Sequence, residues 1–131
     1  MISLVTAQKL KDAGLEWIPK YGDMCYQKYN EGLKSEHIKL IAVVENSLTC
    51  SEIFAPRIDQ LLAEIEERSW YYRIDSWTNP VVEMRYSCTA QKYHNESIYG
   101  EIIKTKQFYA DSPEEAAAQA LLWIMEQEAK V

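Results

Sequence analysis

The segment SPEEAAAQALLWIMEQEAK, Ser112 to Lys130, constrains the fold more than any other part of the chain. It opens with a complete helix start. Ser112 is placed to cap, Pro113 takes the first helical position where its missing N–H costs nothing, and Glu115 closes a Ser-x-x-Glu box. Glu114 and Glu115 also meet the positive end of the helix dipole. Ala117, Ala120, Leu121 and Ile124 then share one stripe. Leu122 and Met125 fall well off it, and Trp123 borders it. A helix on one core needs a single apolar stripe. Each large apolar side chain left in water forgoes roughly 1.5–3 kcal/mol, so Leu122, Trp123 and Met125 call for a cover.

The remaining chain supplies partners for this helix. Thr6 is placed to cap a first helix over residues 7–13, with Val5 and Leu10 as a hydrophobic staple. Gly14 stops it in the left-handed conformation, and Leu15 folds back on Leu10. Residues 16–23 form a connection, 24–29 a strand and 30–36 a turn at Gly32. Residues 37–45 contain IKLIAVV, a nearly continuous apolar run suited to a central strand covered on both faces. Residues 46–54 read as a loop in which Ile53 and Phe54 need an apolar anchor. A second helix starts near Pro56 and lines up Ile58, Leu61, Leu62 and Ile65.

Three strands follow. Trp70, Tyr72 and Ile74 alternate with Tyr71, Arg73 and Asp75. Val82, Met84, Tyr86, Cys88 and Ala90 alternate with Glu83, Arg85, Ser87 and Thr89, giving a dry face and a wet one. Thr78-Asn79-Pro80 turns between these two strands, and a register setting Asp75 opposite Arg85 pairs their charges. Residues 91–100 form a polar loop. The strand at 101–109 places Lys104 and Lys106 on one face, as an exposed or edge strand does. The expected fold is one α+β domain spanning residues 1–131. It is a mostly antiparallel five-stranded sheet with three helices, in the order α-β-β-α-β-β-β-α.

Three segments resemble small uncharacterised phage and prophage proteins with an α-β-α sandwich domain. TAQKLKDAGL resembles their opening helix ending in Ala-Gly. IFAPRIDQLLAEI resembles their Ala-Pro entry into a Leu-rich helix, although Arg57 stands where that group often has a Thr or Ser. SPEEAAAQALLWIM resembles their closing helix. The resemblance implies a fold and a mobile-element origin, and no activity.

Function is bounded mainly by exclusion. The formal net charge of −6 opposes non-specific binding to nucleic acid or an anionic membrane. Cys25, Cys50 and Cys88 are odd in number and widely spaced, which supports reduced thiols in a cytoplasmic protein rather than a disulfide framework or zinc site. No run has the roughly 18 apolar residues of a membrane span, and no secretion signal opens the chain. In the cytoplasm the sequon Asn95-Glu96-Ser97 carries no meaning. Neither His37 nor His94 sits in a nucleophile motif, and a pairing of Cys88 with His94 is disfavoured because Cys88 falls on a dry face. The four glycines are too scattered for a phosphate loop, and no cofactor or metal is implied.

Two interaction surfaces remain. The first joins Leu122, Trp123 and Met125 with Trp17 of the early connection. Its cover is that connection, the first helix, a second copy of the chain, or a host or phage protein. The second is a basic and aromatic sheet face of Tyr71, Arg73, Arg85, Lys104 and Lys106, in the manner of single-stranded nucleic-acid binders. Asp75 and Glu83 would neutralise much of it. The leading expectation is a non-enzymatic protein-interaction module, and the alternative a nucleic-acid-associated one.

Overall fold

A computed structural model describes residues 1–18, 20–30, 36–42, 52–79, 82–94 and 101–130. Their elements are α1 (Leu4–Asp12), β1 (Met24–Asn30), β2 (Glu36–Ala42), β3 (Glu52–Phe54), α2 (Ile58–Glu67), β4 (Tyr71–Asn79), β5 (Val82–Tyr93), β6 (Ile102–Ala110) and α3 (Pro113–Ala129). The class is α+β. The expected single five-stranded sheet is corrected: the strands form two separate three-stranded antiparallel sheets, ordered β2-β1-β3 and β4-β5-β6. The chain divides into two compact units, Ile2–Arg57 and Ile58–Val131, the latter also taking in Met1. The turn at Gly32, the end of the expected strand at 43–45, Cys50, Pro80 and the sequon at Asn95 lie outside the described residues.

In the first unit, Ser3 rather than Thr6 caps α1. Its Oγ accepts from the Thr6 backbone N–H at 3.2 Å, which starts the helix one turn earlier than expected. The staple positions therefore move to Ile2 and Ala7, both buried, and Val5 faces solvent. The stop is as expected. Gly14 has φ +98°, its N–H bonds Lys11 O, and the Leu15 N–H reaches back to Leu10 O at 3.0 Å.

β1, not β2, is the central strand, because it pairs on one side with β2 and on the other with β3. The expectation of a central strand at 37–45 is thus corrected to an edge strand, with Leu40 exposed. The residues missed as a loop are the reason. Glu52–Phe54 pairs with β1, setting Ile53 opposite Tyr26 and Phe54 opposite Cys25, and so anchors both apolar side chains.

The second unit uses the same helix stop without glycine. Ser69 takes φ 63°, its N–H bonds Glu66 O, and the Trp70 N–H bonds Ile65 O at 3.3 Å. Leu61 and Ile65 of the expected α2 stripe are fully buried, and Ile58 and Leu62 half-buried. The helix begins at Ile58, just beyond the buried Pro56. β5 pairs with β4 and β6 on its two sides and continues to Tyr93, three residues into the segment expected as loop. The register differs from the expected one: Asp75 lies opposite Ser87, and Trp77 opposite Arg85. Asp75 pairs instead with Arg73 on its own strand at 2.8 Å. α3 packs on β5 and β6, and α2 packs on α3 and β4. Arg68 ties the two helices together, holding Glu64 of α2 and Glu128 of α3.

Candidate functional site

The surplus apolar residues of α3 are largely taken up. Ser112 caps α3 as expected, with Oγ accepting from the Glu115 N–H at 3.1 Å. Ala117, Ala120, Leu121 and Ile124 are fully buried, and Met125 is only 8% exposed. Trp123 is half-buried. It meets Trp70 edge-to-face at 5.2 Å and Phe108 at 6.0 Å, with the Lys106 ammonium 5.8 Å above its ring. Leu122 is half-buried as well. Trp17, in the first unit, lies flat on Phe54 at 4.7 Å and donates from Nε1 to Asp23 Oδ2 at 3.0 Å. The same buried carboxylate accepts from the Lys20 backbone N–H and stands 3.8 Å from Arg57. Trp17 is thus held inside its own unit.

The second surface comes apart along the sheet. Neighbours across strands share a face, and the register sorts the side chains. Tyr72, Ala90 and Lys106 are in line, as are Ile74, Cys88 and Phe108, and Lys92 with Lys104. This is the face the helices cover. Lys104 reaches Gln127 of α3 at 3.2 Å, and Lys106 lies over Phe108 and Trp123. Lys104 and Lys106 therefore do not stand beside Tyr71, Arg73 and Arg85, as the sequence reading expected. Both lysines are exposed, and their ammonium groups rest at the border of the covered side, on Gln127 and on the Phe108 and Trp123 rings.

Among the described residues, the opposite face carries no helix of this unit. Tyr71, Gln91 and Thr105 form one row across it, Arg73, Thr89 and Gln107 the next, and Asp75, Ser87 and Tyr109 the third. Tyr93, two residues beyond Gln91 on β5, lies on the same face, its ring edge-to-face with Tyr71 at 5.2 Å. Short bonds fix these side chains. Tyr93 Oη donates to Gln91 Oε1 at 3.0 Å, Tyr109 Oη to Gln107 Oε1 at 2.9 Å, and Gln107 Nε2 to Ser87 Oγ at 3.1 Å. Ser87 is fully buried beneath this row, although its place in the sequence alternation put it on a wet face. Tyr109 remains half exposed and Tyr71 exposed. Sequence reasoning named Tyr71, Arg73 and Arg85 here and missed Tyr93 and Tyr109. The signal for Tyr109 was present: it falls on the same parity as Thr105 and Gln107, opposite to the lysines.

Nucleophilic chemistry has no support in this face. Cys88 points to the covered side, and burial pushes its thiol up to about 12, so it carries no thiolate near neutral pH. His94 is exposed. Among the described residues no cluster of His, Cys, Asp or Glu is placed to hold a metal ion. No helix of the described residues is long and apolar enough to cross a membrane. No known protein family, curated protein or solved structure matches the chain.

Proposed function

We propose that the protein is a non-enzymatic interaction module of phage or prophage type, working in the cytoplasm by binding another protein through the open face of its second sheet. One observation carries the reading. The helices cover one side of that sheet, and the other side presents Tyr71, Tyr93 and Tyr109 with Arg73 and Arg85 among Thr and Gln side chains. Tyrosine and arginine are the residues that dominate protein interfaces, since each offers a large contact area with a polar end. The hydrogen-bonded row Tyr109–Gln107–Ser87 is already ordered, which lowers the entropy lost on docking. The mobile-element origin rests on the three resembling segments. The partner is a host or phage protein, and a homodimer is the variant in which the same face meets a second copy.

Nucleic acid is the weaker partner. With Lys104 and Lys106 on the covered side, the open face keeps two arginines, one of them paired with Asp75. That leaves little charge to displace counterions from phosphates.

The test compares the native chain with a Tyr71→Ala/Arg73→Ala/Tyr109→Ala variant in pull-downs from a bacterial lysate, with light scattering of each protein alone. A partner retained by the native chain and lost by the variant is the expected result. A native dimer turned monomer by the variant selects the homodimer. A partner held equally by both proteins removes the open face from the interaction.

A further inference from the structure

We propose that the outer edge of β6 takes an extended acidic segment of a partner protein as a fourth strand of the second sheet. β6 pairs with β5 on one side, and no described strand lies on its other side. Every residue from Ile102 to Gln107 is exposed. Pairing with β5 keeps one register from Lys104 to Ala110, so the strand offers a regular edge up to the irregularity beside Ile103. Alternate residues of an edge strand turn their N–H and C=O groups away from the sheet, and an added strand satisfies them. This edge serves a partner whether or not the open face does.

Charge names the occupant. Lys92 lies directly opposite Lys104, and Lys106 follows two residues along β6 on the same face. Like charges so placed repel, yet the contacts of all three are uncharged. Lys104 Nζ donates to Gln127 Oε1 at 3.2 Å, Lys106 lies over the Phe108 and Trp123 rings, and Lys92 over Trp70. None of the three is in an ion pair with a described residue. In a chain of formal net charge −6 this is a local cluster of unneutralised cations. A strand laid along β6 sets residues directly opposite Lys104 and Lys106, on their face. Two acidic residues spaced by one therefore meet both lysines, and the residue between them falls on the other face, across from Thr105. The fitting segment alternates Asp or Glu with β-branched residues. The same lysines turn away a second copy of the chain. The two registers that overlap β6 most fully with itself, centred on Lys106 or on Thr105, both set lysine against lysine.

The experiment titrates the full chain with the peptide acetyl-Val-Thr-Glu-Val-Glu-Thr-Val-amide at low salt, reading affinity by NMR and amide hydrogen exchange along β6. The same peptide with Lys in place of both Glu is the control. Saturable binding of the Glu peptide and none of the Lys peptide is expected, with exchange slowed at alternate residues between Lys104 and Phe108. Lys104→Gln should weaken binding by up to about fivefold, the scale of one exposed ion pair. Lys104→Glu/Lys106→Glu should reverse the preference and select the Lys peptide. Preserved chemical-shift dispersion confirms that each variant is folded. Equal binding of the two peptides, no binding of either, or binding without slowed exchange on β6 would each overturn the proposal. So would a dimer of the chain alone whose β6 amides are already slowed, because a second copy would then hold the edge.

Discussion

The two faces of the β4-β5-β6 sheet come from the same three strands, one residue apart, yet they differ in chemistry. The covered face holds Cys88, Ala90, Ile74 and Phe108 against helices, with lysines escaping at its border. The open face holds tyrosines, glutamines, threonines and arginines linked by side-chain hydrogen bonds. The difference separates stability from recognition. The first face gains its energy from area removed from water, and the second spends little energy on folding and keeps its groups for a partner.

The largest effect should come from the covered side. Leu121→Ala empties a fully buried site on α3 and should cost about 2–5 kcal/mol, read by urea denaturation. A cost near zero would mean that α3 does not seal this face. Next comes alkaline pH. Folding holds the Cys88 thiol neutral at about 12 against an ordinary 9.0, so the folded state keeps its proton where the unfolded state loses it. This contribution is complete below pH 9.0 and falls as pH rises toward 12, by about 1.4 kcal/mol per pH unit. Cys88→Ala should lose that part of the alkaline slope, and an unchanged slope would contradict the burial.

Smaller effects sharpen the other face. Ser87→Ala removes the acceptor for Gln107 and should cost about 1 kcal/mol, since the exposed amide regains water. Tyr109→Ala or Arg73→Ala should change stability by less than about 0.5 kcal/mol while reducing partner binding. Either one unfolding the protein would place the open face in the core.

Local signals were legible in the sequence, and pairings were not. The Ser112 cap and the Gly14 stop are written within a few residues, and both stand where the reading put them. Alternation also placed Trp70, Cys88 and Ala90 on the dry side. Ser3 and Thr6 are both capping residue types one turn apart, and the cap falls at Ser3, where Ile2 and Ala7 are buried. Whether a strand is central depends on what lies on both sides of it. The run at 37–45 looked central by composition, and the three residues of β3 took the second side of β1 instead. Splitting the basic cluster needed the register of β5 against β6. Lysine alternation shows a shared face but not which face, because long cationic stems reach water from either one.

The most direct test of the open face is site-specific photo-crosslinking in bacterial cells, with a photoreactive residue at Tyr109 in one protein and at the exposed Gln119 of α3 in another. A discrete adduct from position 109, lost when Arg73→Glu is added and absent from position 119, is the result expected. The same adduct from both positions, or from position 119 alone, would contradict it.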